Sequence, residues 1–564
     1  MSETRTKVGQ VHPADVDVVI VGAGFAGLYM LYKCRQLGLK AVVLESADGI
    51  GGTWYHNRYP GARCDIESLD YSYSFSEELQ QEWHWTERYA SQPEILSYIE
   101  HVADRFDLNR DIRLNTRVIG AEFDENTARW AIITENGDTL ATRYFVMATG
   151  VLSAAQVPDI PGRDSFEGEW YHTGSWPHEE VDFTGKRVAV VGTGSSGTQL
   201  IPIVAESASE LYVLQRTANF CMPAQNRPLD PELERDWKAH YPERRAFARS
   251  SNFGHNQLSN PLSGKEASAK ERRAEFERRW ELGGLYMMRA FKDIMTDADV
   301  NLDAVSYVHE QIDALVNDPA TSDVLKPKDL FIGTKRLSSG TNYYETFNRG
   351  NVSLIDVAAD PIKRIQGHSI ELDSGRRMEV DVIIYATGFD AMSGSMLRID
   401  PVGRKALTLS EHWSGGPRTY LGITVAGFPN MFIIAGPGSP SVFSNMVNSI
   451  EQHVEWVAAA MSYLDDHGFA TLKATSEAER DWVQHVNDIA ERTLYRHARK
   501  TWFYGANTPG KPVVFMPYLG GVNNYVTHIA SIAENGYTGF ELTPQAHPEK
   551  TERTSFSPQR TGKT

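Results

Sequence analysis

Two glycine-rich turns of the form GxGxxG constrain the fold of this 564-residue chain more than any other feature. The first begins at Gly22 and the second at Gly192, and each follows a run of β-branched residues and precedes a helical pattern. A strand, a glycine turn and a helix in this order bind dinucleotides, because glycines permit a tight turn, a close pyrophosphate and close packing of helix on strand. The sequence therefore predicts an α/β protein with two Rossmann-like dinucleotide-binding domains.

The first unit also carries the acidic residue that such a site requires. A helical stretch at 28–37 is followed by a short apolar strand at 41–44, which ends in Glu45. An acid at this position accepts hydrogen bonds from a ribose. The alternative is a glycine turn that binds no ligand, and the flanking strands and the acid argue against it.

The second unit differs at that position in an informative way. The strand at 210–214 is followed by Gln215 where the first unit has its acid, and then by Arg216 and Thr217. Without the acid, repulsion toward a 2′-phosphate is removed, and an arginine can pair with that phosphate. The pattern favours NADP over NAD, with an ordinary surface arginine as the alternative.

Each glycine turn has a late partner, an apolar strand that ends in Ala-Thr-Gly. These strands lie at 144–150 and 381–388. The repeat indicates a duplicated architecture. In outline the chain resembles the flavoproteins with two dinucleotide domains, which implies FAD on the first unit and NADP on the second.

The repeat also divides the chain into segments, with a helical insertion inside the second unit. Charged residues at helical spacing, as at 265–279 and 285–295, mark that insertion. We expect a first part of the FAD-binding domain at 1–150, a linker and first part of the NADP-binding domain at 151–223, a mainly helical insertion at 224–330, the second part of the NADP-binding domain at 331–388, the second part of the FAD-binding domain at 389–542 and a loose polar tail at 543–564.

Charge and cysteine content narrow the class of protein further. The formal net charge is −17, which disfavours a nucleic-acid-binding surface. The three cysteines, Cys34, Cys64 and Cys221, form no CxxC pair and no metal-ligand spacing, so we expect a reducing compartment, no metal site and no dithiol chemistry. The apolar run at 18–32 is too short to span a bilayer. We expect a cytoplasmic protein without membrane or nucleic-acid partners.

Two further motifs identify the kind of flavoprotein. The first is Gly51-Gly52-Thr53-Trp54, followed by Tyr59-Pro60-Gly61 and Asp65. The second runs from Phe166 through Gly168 and His172 to Trp176-Pro177. Together they resemble the two signatures of the Baeyer–Villiger monooxygenases, and most closely the phenylacetone monooxygenase branch. The related flavin-containing monooxygenases usually lack the Trp-Pro ending.

That resemblance implies a reaction and its catalytic residues. A Baeyer–Villiger monooxygenase uses NADPH and O₂ to insert one oxygen atom beside a ketone carbonyl, through a C4a-peroxyflavin and a tetrahedral adduct, and yields an ester or lactone. It assigns Arg336 as the catalytic arginine, which holds the peroxide, and Asp65 as the carboxylate that orients it. Ser441, Val442 and Phe443 correspond to the substrate pocket. The alternative is an N- or S-oxygenating flavin monooxygenase.

The resemblance also implies the cofactor contacts. Lys335 shares the 2′-phosphate with Arg216, and Trp502 closes over the nicotinamide cofactor. The residues expected to contact cofactors on the first unit are Gly22, Gly24, Phe25, Ala26, Gly27, Glu45, Gly52, Thr53, Trp54, Asp65, Tyr71, Val118 and Met446. Those of the second unit are Gly192, Thr193, Gly194, Ser195, Ser196, Gly197, Gln199, Arg216, Thr217, Lys335, Arg336 and Trp502.

His172 allows two interpretations. It is either an acid or base, or a buried histidine whose hydrogen bonds hold the linker between the nucleotide units. We favour the second, because a linker between two domains is where their relative rotation is controlled. Phe166, Gly168, Trp176 and Pro177 are expected to belong to the same conformational element.

Overall fold

A computed structural model describes residues 16–545 of the chain. Its strands are β1 (Val18–Val21), β2 (Ala41–Leu44), β3 (Ile112–Arg113), β4 (Val118–Asp124), β5 (Arg129–Thr134), β6 (Thr139–Thr142), β7 (Tyr144–Met147), β8 (Glu169–His172), β9 (Arg187–Val191), β10 (Glu210–Gln215), β11 (Cys221–Pro223), β12 (Ser338–Gly340), β13 (Val352–Asp356), β14 (Ile362–Gln366), β15 (Ser369–Leu372), β16 (Arg377–Glu379), β17 (Val382–Tyr385), β18 (Met431–Ile433), β19 (Phe469–Ala474) and β20 (Phe540–Pro544).

The α-helices of the described residues connect and cover these strands. They are α1 (Phe25–Gln36), α2 (Thr53–His56), α3 (Glu77–Glu82), α4 (Gln92–Arg105), α5 (Ser195–Ser207), α6 (Pro231–Ala239), α7 (Tyr241–Ser250), α8 (Ala269–Leu282), α9 (Ala298–Leu315), α10 (Pro319–Leu325), α11 (Gly394–Leu397), α12 (Leu409–His412), α13 (Met446–Asp466), α14 (Ser476–Glu491) and α15 (Val522–Glu534).

Two five-stranded parallel sheets form the two nucleotide units, which confirms the predicted α/β class with two Rossmann-like domains. The first sheet has the order β18-β7-β1-β2-β3 and the second the order β13-β10-β9-β17-β8. Strand β1 is buried along its whole length, as a parallel strand covered on both faces requires. The first sheet takes its outermost strand, β18, from beyond the second sheet in the sequence.

The same glycine contact recurs in both units. Gly22 and Gly192 have φ angles of +106° and +110°, and a Cβ on either would lie 2.5 Å from a carbonyl oxygen, that of Ala148 or Ala386. These carbonyls belong to the two Ala-Thr-Gly segments. The late partner strand therefore packs against the first glycine of each turn, and only glycine fits there.

Three local predictions are wrong. The first helix begins at Phe25 instead of residue 28, because Gly24 is its N-cap. In the insertion, the only helical residues of 285–295 form the 3₁₀ turn Tyr286–Arg289, although helices α6 to α10 lie within 224–330. The predicted tail begins too early, because Thr543 and Pro544 pair with β19. Residues 546–564 of that tail, like residues 1–15, lie outside the described part.

No helix between residues 16 and 545 combines the length and the apolar character that a membrane span requires.

Candidate functional site

The first glycine turn lies against the Gly51-Gly52-Thr53-Trp54 motif. A Cβ on Gly52, which has a φ of +55°, would lie 3.0 Å from the Cα of Gly24. Helix α1 starts at this contact, and no side chain caps its first N–H groups. The two motifs thus form one cradle with free backbone donors, and a helix N-terminus of this kind attracts phosphate.

Glu45 is fixed beside this cradle. Its Oε2 accepts the N–H of Ala23 at 2.8 Å, and its Oε1 accepts that of Ala47 at 2.9 Å. The carboxylate is buried, with 6% of the residue exposed. Its position at the carboxyl end of β2 is where a ribose acid must lie.

An aromatic wall continues from the cradle. Trp54 donates its indole N–H to the Tyr71 hydroxyl at 3.2 Å, and the ring of Phe25 meets that of Tyr71 edge to face, with centroids 5.5 Å apart. Asn445, the N-cap of α13, donates its side-chain amide to the Asp70 carbonyl at 2.7 Å. This bond brings Met446, the first residue of α13, to the Tyr71 segment. Val118 opens β4, where it is buried.

The second glycine turn is more open than the first. A Cβ built on Gly194 would have no heavy atom within 4 Å, whereas one on Gly197 would lie 2.4 Å from the Gly192 carbonyl oxygen. Helix α5 begins at Ser195 and Ser196 without a side-chain cap. Free N–H groups beside empty space suit a second pyrophosphate.

The structure brings Arg216 and Lys335 together at the end of β10. Arg216 and Thr217 are exposed and Lys335 is half-buried. Burial, and then repulsion from Arg216, lowers the pKa of Lys335 to about 8. An anion such as a 2′-phosphate would relieve the repulsion between these two cations.

Gln215 stands at the position where the first unit has Glu45, and two hydrogen bonds hold its side chain in place. Its amide donates to the Val324 carbonyl at 2.8 Å, and its Oε1 lies 3.3 Å from the Thr193 hydroxyl. The residue therefore ties the glycine turn to the end of α10 in the insertion.

Arg336 and Asp65 form a bidentate ion pair. The Arg336 Nε and Nη2 donate to Asp65 at 2.9 and 2.8 Å, and Nη1 donates to the Val442 carbonyl. The two side chains are 26% and 20% exposed. Burial opposes the positive charge, but Asp65 outweighs it and raises the pKa of Arg336. The result is a guanidinium group that stays charged and points in a fixed direction.

The predicted pocket residues Ser441, Val442 and Phe443 lie beside this pair. Ser441 is fully buried and its hydroxyl has no partner among the described residues. The Phe443 ring contacts Tyr495 and Phe503, with centroids 5.1 and 4.6 Å away.

The sequence analysis missed Tyr495 and its neighbour Phe503. Tyr495 donates its hydroxyl to the Gly333 carbonyl at 2.7 Å, three residues before Arg336. Trp502, which was predicted, is half-buried and packs on Phe503 with centroids 4.2 Å apart. No local motif marks Tyr495, because its contacts join three distant segments.

The linker holds the second unit to the first. The buried His172 accepts the N–H of Gly174 at 2.9 Å through Nδ1, and its Nε2 lies 3.4 Å from the Thr387 hydroxyl in the second Ala-Thr-Gly segment. Burial lowers its pKa. The N–H of Trp176 donates to the His56 carbonyl of the first unit at 3.2 Å.

Close packing fixes the rest of this linker. A Cβ on Gly168 would lie 2.4 Å from the Asp381 carbonyl and 2.6 Å from the Phe166 ring. Pro177 is half-buried. Between the units, the Tyr59 hydroxyl donates to Gln199 at 2.8 Å, and the Gln199 amide donates to the Arg63 carbonyl at 3.1 Å.

These features fit two dinucleotides. Each turn offers an uncapped helix N-terminus and a glycine at which an added Cβ would obstruct the close approach of a pyrophosphate. The second turn adds a pair of cations without a carboxylate. Between residues 16 and 545, no cluster of three or more His, Cys, Asp or Glu side chains could hold a metal ion.

The chain is similar to known oxidoreductases and monooxygenases. A family model described as "Pyridine nucleotide-disulphide oxidoreductase" matches residues 19–235. A Baeyer–Villiger monooxygenase of Pseudooceanicola batsensis is 42% identical over 93% of this chain and 96% of its own. A phenazine N-monooxygenase of Lysobacter antibioticus is 39% identical over 93% of this chain and 97% of its own.

Solved structures match over nearly the whole chain. An oxidised steroid monooxygenase bound to NADP is 50% identical, with a TM-score of 0.90, covering 94% of this chain and 100% of that one. A protein named OTEMO, in complex with FAD and NADP, is 38% identical with a TM-score of 0.91, at the same coverage of both chains.

Proposed function

The chain belongs to the Baeyer–Villiger monooxygenases, and from that membership we propose that Arg336 and Asp65 are its catalytic pair. The enzyme is an oxidoreductase that uses FAD, NADPH and O₂ to convert a ketone to an ester or lactone. One oxygen atom of O₂ enters the product, and the other leaves as water with electrons from NADPH. The observation that carries the proposal is the bidentate Arg336–Asp65 pair beside the Ser441–Phe443 segment.

The first unit is proposed to hold FAD and the second NADPH. The Gly22–Gly27 turn and Glu45 would bind the FAD pyrophosphate and ribose, with Trp54 and Tyr71 along its length. The Gly192–Gly197 turn would bind the NADPH pyrophosphate, with Arg216 and Lys335 on its 2′-phosphate. When bound, the two cofactors supply hydride transfer and activation of O₂.

Arg336 then acts on charge that develops at the ketone. Attack on a carbonyl carbon places negative charge on oxygen, and a guanidinium held in a fixed direction stabilises that charge more strongly than water, which must first reorient. Asp65 keeps the fork in one direction, and the Val442 carbonyl holds its third nitrogen. Arg336 retains its proton throughout, because its pKa is raised.

Three further assignments belong to the same proposal. We keep the predicted division of the sequence into FAD-binding, NADP-binding and inserted segments. The phenylacetone monooxygenase branch remains the predicted branch. A cytoplasmic location is supported by Cys34, Cys64 and Cys221, which are buried and unpaired.

The test is aerobic incubation with NADPH and a panel of ketones, with mass spectrometry for a gain of one oxygen atom. We expect Arg336→Met to retain FAD and to oxidise NADPH, but to lose ester formation by about 10²- to 10³-fold, as when a preorganised oxyanion donor is removed. Undiminished ester formation by this variant would overturn the assignment.

N- or S-oxygenation is the second candidate, favoured by the similarity to a phenazine N-monooxygenase. That chemistry attacks an electron-rich heteroatom and develops no carbonyl oxyanion, so it does not need Arg336. The two functions separate by product. An ester from a ketone supports the first, and an N-oxide or sulfoxide with no ester from any ketone supports the second.

A further inference from the structure

Arg289, in the insertion, is a buried arginine that forms no ion pair with a carboxylate among the described residues, although Glu67 acts on its charge from a longer distance. Only 3% of the residue is exposed. Its Nη1 donates to the Leu285 carbonyl at 3.1 Å, and its Nε has no partner. The Phe253 ring lies 4.2 Å from the guanidinium carbon. A guanidinium has five N–H donors, and a buried charge with so few acceptors is strongly unfavourable unless a ligand completes it.

The contact between Arg289 and His255 adds to this shortage of acceptors. Nη2 of Arg289 meets Nε2 of His255, which is also buried. The other ring nitrogen, Nδ1, faces the N–H of Gln257 at 3.1 Å. A neutral imidazole accepts a hydrogen bond at only one nitrogen, so in either tautomer one of these two donors meets a ring N–H. An oxygen acceptor beside Arg289 Nη2 and His255 Nε2 would remove that conflict.

The loop that carries Phe253 and His255 borders the proposed active site. Its 256–257 end binds the segment after Asp65, because Asn256 donates to Asp70 at 2.7 Å. Its 253–254 end binds the start of α13, because Asn445 donates its N–H to the Phe253 carbonyl at 2.9 Å. Burial, and then the charges of Arg289 and Arg336, lower the pKa of His255, so both arginines lie near its ring.

Arg289 also lies next to the segment that precedes Arg336 in the sequence. Its neighbour Met288 reaches Gly333, where a Cβ would lie 3.0 Å from the Met288 methyl carbon. Arg289 and His255 thus lie beside the ketone site without belonging to the Arg336–Asp65 pair. A substrate group that extends from the ketone toward the insertion would meet them.

We propose that Arg289 and His255 bind a carboxylate on the ketone substrate, so that oxo acids are preferred over neutral ketones of the same shape. A carboxylate supplies the acceptors that Arg289 and His255 lack and also balances the buried charge, which a neutral carbonyl cannot do. The proposal rests on the ketone-oxygenating function and specifies its substrate class.

The experiment uses the holoenzyme and a series of methyl ketones with a terminal carboxylate, beginning with levulinate and lengthened one methylene at a time. Each acid is paired with its methyl ester. The measured quantity is the ratio of kcat/KM for acid and ester. The variants are Arg289→Met and Arg289→Lys, with Arg279→Met as a matched control, since Arg279 is equally buried in the insertion but already paired with Glu275 at 2.6 Å.

We expect the wild type to prefer the acid at one or more lengths. Arg289→Met should lower that ratio by about 10- to 100-fold, the usual effect of losing a hydrogen bond to a charged group, and Arg289→Lys should lower it less. Arg279→Met should leave it unchanged.

Two results would overturn the proposal: a wild type that prefers the ester at every length, or an Arg289→Met effect equal for acid and ester. The first needs no variant, so it holds even if Arg289→Met does not fold. Loss of FAD with an unchanged ratio would assign Arg289 a structural role and likewise overturn it. Oxygenation of the esters reports separately on the ketone-oxygenating function.

Discussion

Asp65 and Arg336 are 271 positions apart in the sequence, yet they meet through two parallel N–H···O bonds. The carboxylate comes from the segment after the first glycine turn, and the guanidinium from the segment after the insertion. The pair therefore closes one site from two nucleotide units, and its geometry depends on how those units pack.

Removing the charge of Asp65 should weaken oxygen insertion more than cofactor binding. Asp65→Asn keeps the size of the side chain but loses the charge-assisted bonds, which contribute about 1.5–3 kcal/mol. We expect ester formation to fall about 10- to 100-fold and hydrogen peroxide release to rise, measured together against NADPH consumption. An unchanged ratio of ester to NADPH consumed would show that Asp65 does not orient Arg336.

Lys335 should make NADPH binding depend on pH. Its pKa of about 8 means that the ammonium is charged below that pH and loses its charge as the pH rises. We expect KM for NADPH to rise above pH 8 and KM for NADH, which lacks the 2′-phosphate, to stay flat. Lys335→Arg should remove the dependence, because arginine stays charged. If Lys335→Met kept the wild-type profile, another group would be responsible.

Gly194→Ala should impair NADPH binding without damaging the fold. A Cβ there has no heavy atom within 4 Å, so the free enzyme accommodates it, but the methyl group occupies the space proposed for the pyrophosphate. Filling occupied space costs about 1–3 kcal/mol, so KM for NADPH should rise about 10-fold or more. Gly350→Ala, equally free of neighbours, is the control and should change neither KM nor thermal unfolding.

Gly197→Ala distinguishes packing from ligand contact in the same turn. Its Cβ would meet the Gly192 carbonyl at 2.4 Å, so the turn itself must distort. We expect a lower unfolding temperature even without NADPH, measured by thermal denaturation. Equal stability of the two alanine variants would contradict this division of roles.

His172 should tolerate a substitution that keeps its acceptor. Asn at 172 can accept the Gly174 N–H as Nδ1 does, whereas Leu leaves that donor unpaired at a cost of about 1–3 kcal/mol. We expect His172→Asn to retain ester formation with an unchanged pH profile. His172→Leu should form less ester for each NADPH consumed. An acid or base at this position would require that both variants fail and that the profile shift.

Short-range patterns predicted most of the scaffold. The turns at Gly22 and Gly192 could be recognised because strand, glycine and helix lie within a few residues, and the contacts of Gly22 and Gly192 are the same in both units. The prediction for 285–295 was wrong, because charged residues at helical spacing also occur in a segment that packs irregularly. Within this segment, only Tyr286–Arg289 is helical, as a 3₁₀ turn.

Long-range pairs in the site could not be predicted from local patterns. Asp65 and Arg336 were assigned by resemblance to a family and not by spacing. The contacts of Tyr495 with Gly333, of Tyr59 with Gln199 and of Arg289 with His255 join segments that no local pattern relates. Each depends on side chains that reach a neighbour only after the core has packed.

The strand order of the first sheet has a consequence for how the enzyme is made. Strand β18 pairs with β7, but about 280 residues, including the whole second sheet, are synthesised between them. At about 5–20 residues per second, the ribosome needs roughly 15 to 60 s to produce the missing edge. The first sheet therefore lacks its edge strand β18 until the second unit has been synthesised. Flavin loading is expected to be a late event in biosynthesis, and chains that terminate before residue 431 should not retain it.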